Sequence, residues 1–365
     1  LPAASGSAAP EPTIPPTPTP RPELGGTELY GYLPYWQMSD RMAKYLARVP
    51  VSTLALFSVG PDGNGAIKKS DIGYRRITGA RGRGLIADAH ARGQRVDLVF
   101  TSFGKALNTQ LFSLDLAGQA RRARAVADLV ALARSLRVDG VNVDVEQVQG
   151  DISLGYVGFI GALRAGLKAL GRHATLSVAT TSNHDGAELA RLAIIGGADR
   201  VFLMGYEYHW SGSGPGASSP IQNRDPGLDL TQSIVDYVNT GVPRTQLLLG
   251  LPLYGMTWQV AGADLPSVAV GKGQAWIPAN HVDLLTSSTF SPTLDPIEVA
   301  ESFIVPDGDG WAATYYDSPR TLQPKLELAR SQGLAGSGFW ALGYEYGLPG
   351  YLDLMTAFRA GRIGG

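Results

Sequence analysis

Eight runs rich in β-branched, leucine and aromatic residues recur along the chain with helical patterns between them. That alternation constrains the fold more than any other feature. The runs are Leu29 to Tyr35, Thr53 to Val59, Arg95 to Thr101, Gly140 to Glu146, Ala174 to Thr180, Arg200 to Tyr206, Gln246 to Leu251 and Gly336 to Ala341. Among the intervening stretches, Ala117 to Leu136 sets Val126, Leu129, Val130 and Ala133 at helical spacing, and Tyr156 to Leu170 is similarly amphipathic. Repeated strand–helix units predict a parallel sheet. Eight of them in a chain of 365 residues favour a closed (β/α)8 TIM barrel over an open doubly wound sheet. No G-x-G-x-x-G follows the first run, which weakens the dinucleotide-binding alternative. Residues 259 to 316 are too long for an ordinary loop and hold strand-like pieces at Ser302 to Val305 and Ala312 to Tyr316. They predict a small α+β insertion between strand 7 and the final helix, whose start is punctuated by Ser318 and Pro319 and whose end by Gly333.

Within the fourth run, Asp139-Gly140-Val141-Asn142-Val143-Asp144-Val145-Glu146 alternates valine with an acid or an amide. Side chains of a strand point alternately to its two faces, so the valines share one face and Asn142, Asp144 and Glu146 the other. A strand of a parallel sheet is normally apolar on both faces, and each unpartnered polar group buried there costs about 1–3 kcal/mol. The polar row therefore points to function. The carboxyls of Asp144 and Glu146 start about 6.5 Å apart, and acids so close are expected to hold one proton between them near neutral pH. That state suits general acid catalysis. A solvated face of an antiparallel strand is the plainer reading, which the eight-residue pattern disfavours.

Barrel chemistry sits at the carboxyl ends of the strands. Those ends carry Tyr32 and Trp36, the pair Asp144 and Glu146, then Met204, Tyr206 and Glu207, then Tyr254 and Trp258, and finally Trp340. Aromatic faces beside carboxylates suit sugar rings, although each aromatic taken singly also fits core packing.

Composition narrows the function classes. A formal net charge of −1 with no Lys/Arg run argues against nucleic acid or an anionic membrane as partner. There is no cysteine, and the 5 histidines show no ligand spacing, so neither a thiolate nucleophile nor a metal or organic cofactor is expected. His184 and His209 are expected in surface or core roles. No apolar run reaches the roughly 20 residues of a membrane span, and a monomer is the default. Residues 1 to 26 hold eight prolines among Ala, Thr, Ser and Gly. They read as a disordered linker over 1–27 ahead of one catalytic domain over 28–365, and a Pro/Thr tether fits an extracellular or cell-surface location.

From about Leu29 onward the chain resembles glycoside hydrolase family 18, the chitinase-like family. The family's D-G-x-D-x-D-x-E reads Asp139 to Glu146, its M-x-Y-D reads Met204-Gly205-Tyr206-Glu207, and its last-strand tryptophan is Trp340. Gly-Val-Asn-Val-Asp-x-Glu, Gly-Tyr-x-Pro-Tyr-Trp and Pro-Leu-Tyr-Gly-x-x-Trp are most similar to the bacterial branch of spore-cortex and peptidoglycan N-acetylglucosaminidases. The resemblance implies an N-acetylglucosamine-containing glycan as substrate and a retaining mechanism in which the substrate's own acetamido oxygen is the nucleophile. It makes Glu146 the general acid, Asp144 the partner of the acetamido N–H, Tyr206 the partner of its carbonyl and Trp340 the floor of the sugar subsite. Two residues depart from the pattern: Asn142 stands where many relatives have aspartate, and Glu207 replaces aspartate. With an amide at 142, Asp144 is expected to stay ionised more readily and to raise Glu146 less. Thr101-Ser102-Phe103-Gly104 matches the family's Ser-x-Gly-Gly only loosely. A non-catalytic carbohydrate-binding protein on the same barrel is the competing class, and a carboxylate–metal site a weaker third.

Overall fold

A computed structural model describes residues 27–148, 150–171 and 173–363 of the chain. Among them thirteen strands follow one another: β1 (Glu28–Pro34), β2 (Thr53–Val59), β3 (Arg95–Ser102), β4 (Gly140–Val145), β5 (Thr175–Thr181), β6 (Arg200–Met204), β7 (Leu247–Pro252), β8 (Gly255–Val260), β9 (Gln274–Trp276), β10 (Thr293–Asp295), β11 (Ala300–Asp307), β12 (Gly310–Tyr316) and β13 (Gly336–Trp340). The first seven and the last close into a parallel barrel ordered β1-β13-β7-β6-β5-β4-β3-β2. All eight expected runs are its strands. The proline-rich segment lies outside the described residues apart from Thr27.

The two faces of β4 divide as the alternation predicts. Val141, Val143 and Val145 pack outward in one cluster with Phe159, Ile160 and Leu163 of the helix Ser153–Leu167. Each such side chain contributes about 1.5–3 kcal/mol by leaving water. Inside the barrel, Tyr30, Tyr32, Val99, Phe202 and Leu248 fill the bore, with Met204, Tyr206 and Trp340 above them. Gly140 is required at the lower end of β4, because a Cβ there would lie 2.5 Å from Asp97 Oδ1 and 2.2 Å from Thr175 Oγ1.

The insertion is a five-stranded antiparallel sheet ordered β10-β11-β12-β8-β9. It begins at Gly255, ahead of residue 259 where the sequence placed it. A Cβ at Gly255 would stand 2.3 Å from the Tyr315 carbonyl, so glycine lets β8 cross close to β12 as the chain leaves the barrel. Tyr254, Met256, Trp258, Val260, Ala313 and Tyr315 form the sheet's packed face, and Tyr206, Trp340 and Tyr344 lie against it. The insertion is therefore seated on the carboxyl ends of the barrel strands.

Helix Pro319–Ser331 starts with a capping box between Ser318 and Thr321 and is followed by Gly333 at φ 66°. After β13 a further helix, Tyr351–Arg359, ends at the opposite face of the barrel. There the Thr27 amide donates to the Arg359 carbonyl at 3.2 Å, and the Arg359 guanidinium donates to the Thr27 carbonyl.

Candidate active site

Glu146 lies one residue past the end of β4, where the strand has just left the barrel and its side chain is only partly buried. Its backbone is held from two directions. The Glu146 amide meets the Ser102 carbonyl at 3.4 Å, and the buried Asn108 amide donates to both the Glu146 carbonyl and the Ser102 carbonyl. Ser102 Oγ in turn donates to Asn108 Oδ1 at 2.6 Å. Sequence reasoning missed Asn108, since one asparagine in the amphipathic helix Lys105–Phe112 gives no signal of its own.

Asp144 is buried, and its Oδ1 has no hydrogen-bond partner among the described residues. Burial, then the charge of Glu146, holds its carboxyl well above the usual carboxylate range. Glu146 is raised as well, first by burial and then by Glu207 across the mouth. The low-dielectric bore governs the ionisation of Asp144 more than the charge count along the strand does.

Asn142 is fully buried. Its Oδ1 accepts from Tyr32 Oη at 3.2 Å and its Nδ2 donates to Ser177 Oγ at 2.8 Å. Tyr32 thus lies within the bore below the mouth, its ring 5.6 Å from Trp340. Tyr206 is mostly buried, and burial followed by Tyr32, Tyr254 and the nearby carboxyls pushes its phenol well up. It remains an O–H donor throughout the neutral range.

Trp340 sits above the bore with its ring 4.6 Å from Phe57 and 6.4 Å from Trp36. Trp36 is half exposed and donates from Nε1 to Tyr344 Oη at 3.3 Å. Met204 ends β6 beside these rings. The chain then turns sharply, and Glu207 adopts φ 64° with its amide donating to Ser218 Oγ at 3.1 Å. Its carboxyl is hydrogen-bonded with Tyr254, which joins Tyr206 at a ring separation of 6.2 Å. Burial raises Glu207, an effect that solvent screens at this exposed position.

Trp258 is not brought to the mouth. It is 1% exposed in the second sheet, its ring 6.4 Å from Tyr315, and a Cβ on Gly273 would touch its Nε1 at 2.4 Å. Four residues beyond Tyr254 on the same packed face, it belongs to the insertion's core. His184 is an exposed partner of Asp236 at 3.1 Å, and His209 is buried with Nδ1 3.0 Å from the Gly214 carbonyl. Among the described residues no group of three His, Asp or Glu side chains is placed to hold a metal ion.

Beside Glu207 a cleft of about 430 Å³ opens between Asn183, His209, the half-exposed Trp210, Asn223 and Leu228. Its wall is fixed by Glu298, which accepts from the Ala217 amide at 2.7 Å and lies 3.5 Å from His209 Nε2. The glycine-rich loop of residues 210–216 is thereby tied to the insertion.

A (β/α)8 barrel with a strand-borne carboxyl pair at its carboxyl-end mouth, ringed by aromatic side chains, defines the class of the barrel glycosidases. The sequence profile of glycosyl hydrolases family 18 matches residues 29–345, and the chain belongs to that family. It is 26% identical over 262 residues to Endochitinase 1 of Metarhizium robertsii, covering 67% of this chain and 60% of that protein. It is 29% identical over 150 residues to the cortical fragment-lytic enzyme of Bacillus subtilis, covering 40% of this chain and 32% of the relative. The chain thus spans less than two thirds of Endochitinase 1 and about a third of the cortical fragment-lytic enzyme. The Bacillus cereus spore cortex-lytic enzyme SleL shares the fold with a TM-score of 0.71 at 20% identity, over 93% of this chain and 76% of that one.

Proposed function

We propose that the chain hydrolyses β-1,4 bonds next to N-acetylglucosamine in chitin-like or peptidoglycan glycans, with retention and with the substrate's acetamido group as nucleophile. The observation that supports this reading most is the buried, unpartnered Oδ1 of Asp144 beside a partly exposed Glu146. An acetamido N–H supplies the missing donor and so favours the ionised form of Asp144, which offsets the positive charge that develops on the oxazolinium ring. Glu146, whose carboxyl is raised by burial and then by Glu207, gives its proton to the leaving oxygen and later takes one from water. Tyr206 donates to the acetamido carbonyl, and Trp340 stacks under the sugar. Met204, Trp36 and Tyr254 line the subsite around them.

The polar cleft beside Glu207 supports a glycan that extends past the cleaved bond. A location outside the cell or tethered at its surface accords with polymeric glycan as substrate. Mass spectrometry of products from N-acetylated chito-oligosaccharides and from purified peptidoglycan tests the proposal. We expect cleavage of at least one substrate by the native protein and about a 10²–10⁴-fold slower reaction in Glu146→Gln. Binding of either glycan without cleavage by the native protein would move the assignment to a carbohydrate-binding protein on the same barrel.

A further inference from the structure

The cleft beside Glu207 is built around a buried imidazole that the reaction does not use. His209 is 7% exposed, and each of its ring nitrogens faces an oxygen acceptor. Nδ1 lies 3.0 Å from the Gly214 carbonyl, and Nε2 lies 3.3 Å from Asn223 Oδ1 and 3.5 Å from Glu298 Oε1. The Asn223 amide is oriented independently of the histidine, because its Oδ1 accepts from the Asp225 amide at 3.1 Å while its Nδ2 donates to the Leu228 carbonyl at 3.1 Å. A neutral imidazole has one N–H and one bare nitrogen, so either tautomer sets a lone pair against an acceptor. Only the imidazolium satisfies both sides.

The same residue holds the wall that carries Trp210. Gly216 lies against the imidazole, where a Cβ would stand 2.5 Å from Cε1 and from Nε2. Glu298 accepts from the Ala217 amide at 2.7 Å and from the Arg224 amide at 3.5 Å, so the stretch 209–224 closes on one carboxyl. Within it the Trp210 amide donates to Ser213 Oγ at 2.9 Å, and the indole lies over Gly212, where a Cβ would come within 2.3 Å of the ring. The half-exposed Trp210 is thereby fixed in the lining of the cleft.

We propose that His209 is a positioning residue for the glycan: as an imidazolium it locks the 209–224 wall, and Trp210 with it, in the form that receives sugars beyond the cleaved bond, and loss of its proton releases the wall and weakens binding of long chains. This rests on the reading that a glycan occupies the cleft. By linkage, a glycan seated there tightens the hold of His209 on its proton by the factor that the proton tightens glycan binding. Burial opposes the charge on His209, but the contact with Glu298 and then the Gly214 carbonyl hold it above the ordinary histidine value. Glu298, from the turn between β10 and β11, is the charged group against the ring. Around it stand Asp229, whose Oδ2 accepts from the Asn223 amide at 3.3 Å, the Arg224–Asp295 ion pair, and Tyr315 and Lys325, both of which feel the charge of Glu298. Glu207 and Asp225 line the cleft itself.

The test follows the Trp210 indole N–H by nuclear magnetic resonance, assigned as the signal lost in Trp210→Phe, across pH in the full chain. It should move between two positions with a midpoint above the ordinary histidine value. Glu298→Gln removes the opposing charge and should lower that midpoint by about one unit, a tenfold loss of proton affinity. Binding is measured in Glu146→Gln with N-acetylated chitohexaose, or with soluble peptidoglycan strands where the hexaose does not bind. Affinity should be about fivefold or more weaker above the midpoint than below it, and adding Glu298→Gln should move that weakening down by the same unit. Asp144 and Glu207 are common to both proteins, so the shift isolates His209. An indole signal that stays still, or a midpoint that Glu298→Gln moves by less than about 0.3 unit, overturns the proposal. If Glu298→Gln does not fold, an affinity that is flat across the native midpoint overturns it. A native protein whose indole titrates as expected but which binds neither glycan would sink the hydrolase reading, and the glycan's part in this proposal with it, while the latch on the wall stood.

Discussion

At the scale of single residues, the site depends on hydrogen bonds whose partners are scarce. Tyr206 has one proton to give, and replacing it with phenylalanine removes a donor to a carbonyl that becomes charged in the transition state. Such a bond contributes about 1.5–3 kcal/mol, so Tyr206→Phe should lower kcat/KM about ten- to hundredfold with the fold intact. A variant within twofold of the native rate would remove Tyr206 from the mechanism. Asn142→Asp adds a third acid to a buried row already under strain from like charge. The acidic limb of the pH–rate profile should move upward, and an unchanged profile would show that position 142 does not influence Asp144. Asn142 was legible in sequence because valine and polar side chains alternate so regularly in β4, and Tyr206 because it falls at the carboxyl end of the sixth run. Asp97 was not: one acid in the run Arg95 to Thr101 carries no sign of which layer of the bore it occupies.

Elements convert those residues into geometry. The helix Lys105–Phe112 matters less for its packing than for Asn108, which ties the end of β3 to the point where Glu146 leaves β4. Asn108→Ala leaves buried carbonyls unmatched and should destabilise the fold by about 1–3 kcal/mol. As a positioning residue it should also lower kcat while leaving KM within about twofold, because Glu146 moves and the sugar platform does not. A proportional rise in KM, with kcat preserved, would contradict that role. The barrel strands were readable because each is a short apolar run bounded by turn residues. Facing was harder to read. Trp258 and Tyr254 share one face of the same segment, yet only Tyr254 reaches Tyr206, since a strand pattern reveals which residues are coplanar but not how far the sheet recedes from the mouth.

Over the whole molecule, several carboxyls are buried and held above their usual range. Asp97 is raised to about 6 and Glu345 to about 7, both chiefly by burial, and Asp144 is raised further. Because the folded state binds these protons more tightly than the unfolded chain, their contribution to stability is fullest at low pH. It is lost as pH rises through the folded values. From pH 5 to pH 8, Asp97 and Glu345 together should reduce stability by on the order of 4 kcal/mol. His209, also raised, changes in the same sense. Urea unfolding at the two pH values measures this, and a midpoint at pH 8 equal to or above that at pH 5 would contradict it. The alternation of strands and helices made the barrel legible, whereas such burial arises only once the bore closes.

The clasp between Thr27 and Arg359 also has a practical meaning. It gathers both ends of the described chain at the floor of the barrel, on the side away from Glu146. A surface, bead or fused partner attached through either end would sit behind the barrel, with the mouth facing outward. Immobilised this way, the protein would meet an insoluble glycan sheet with its open face first.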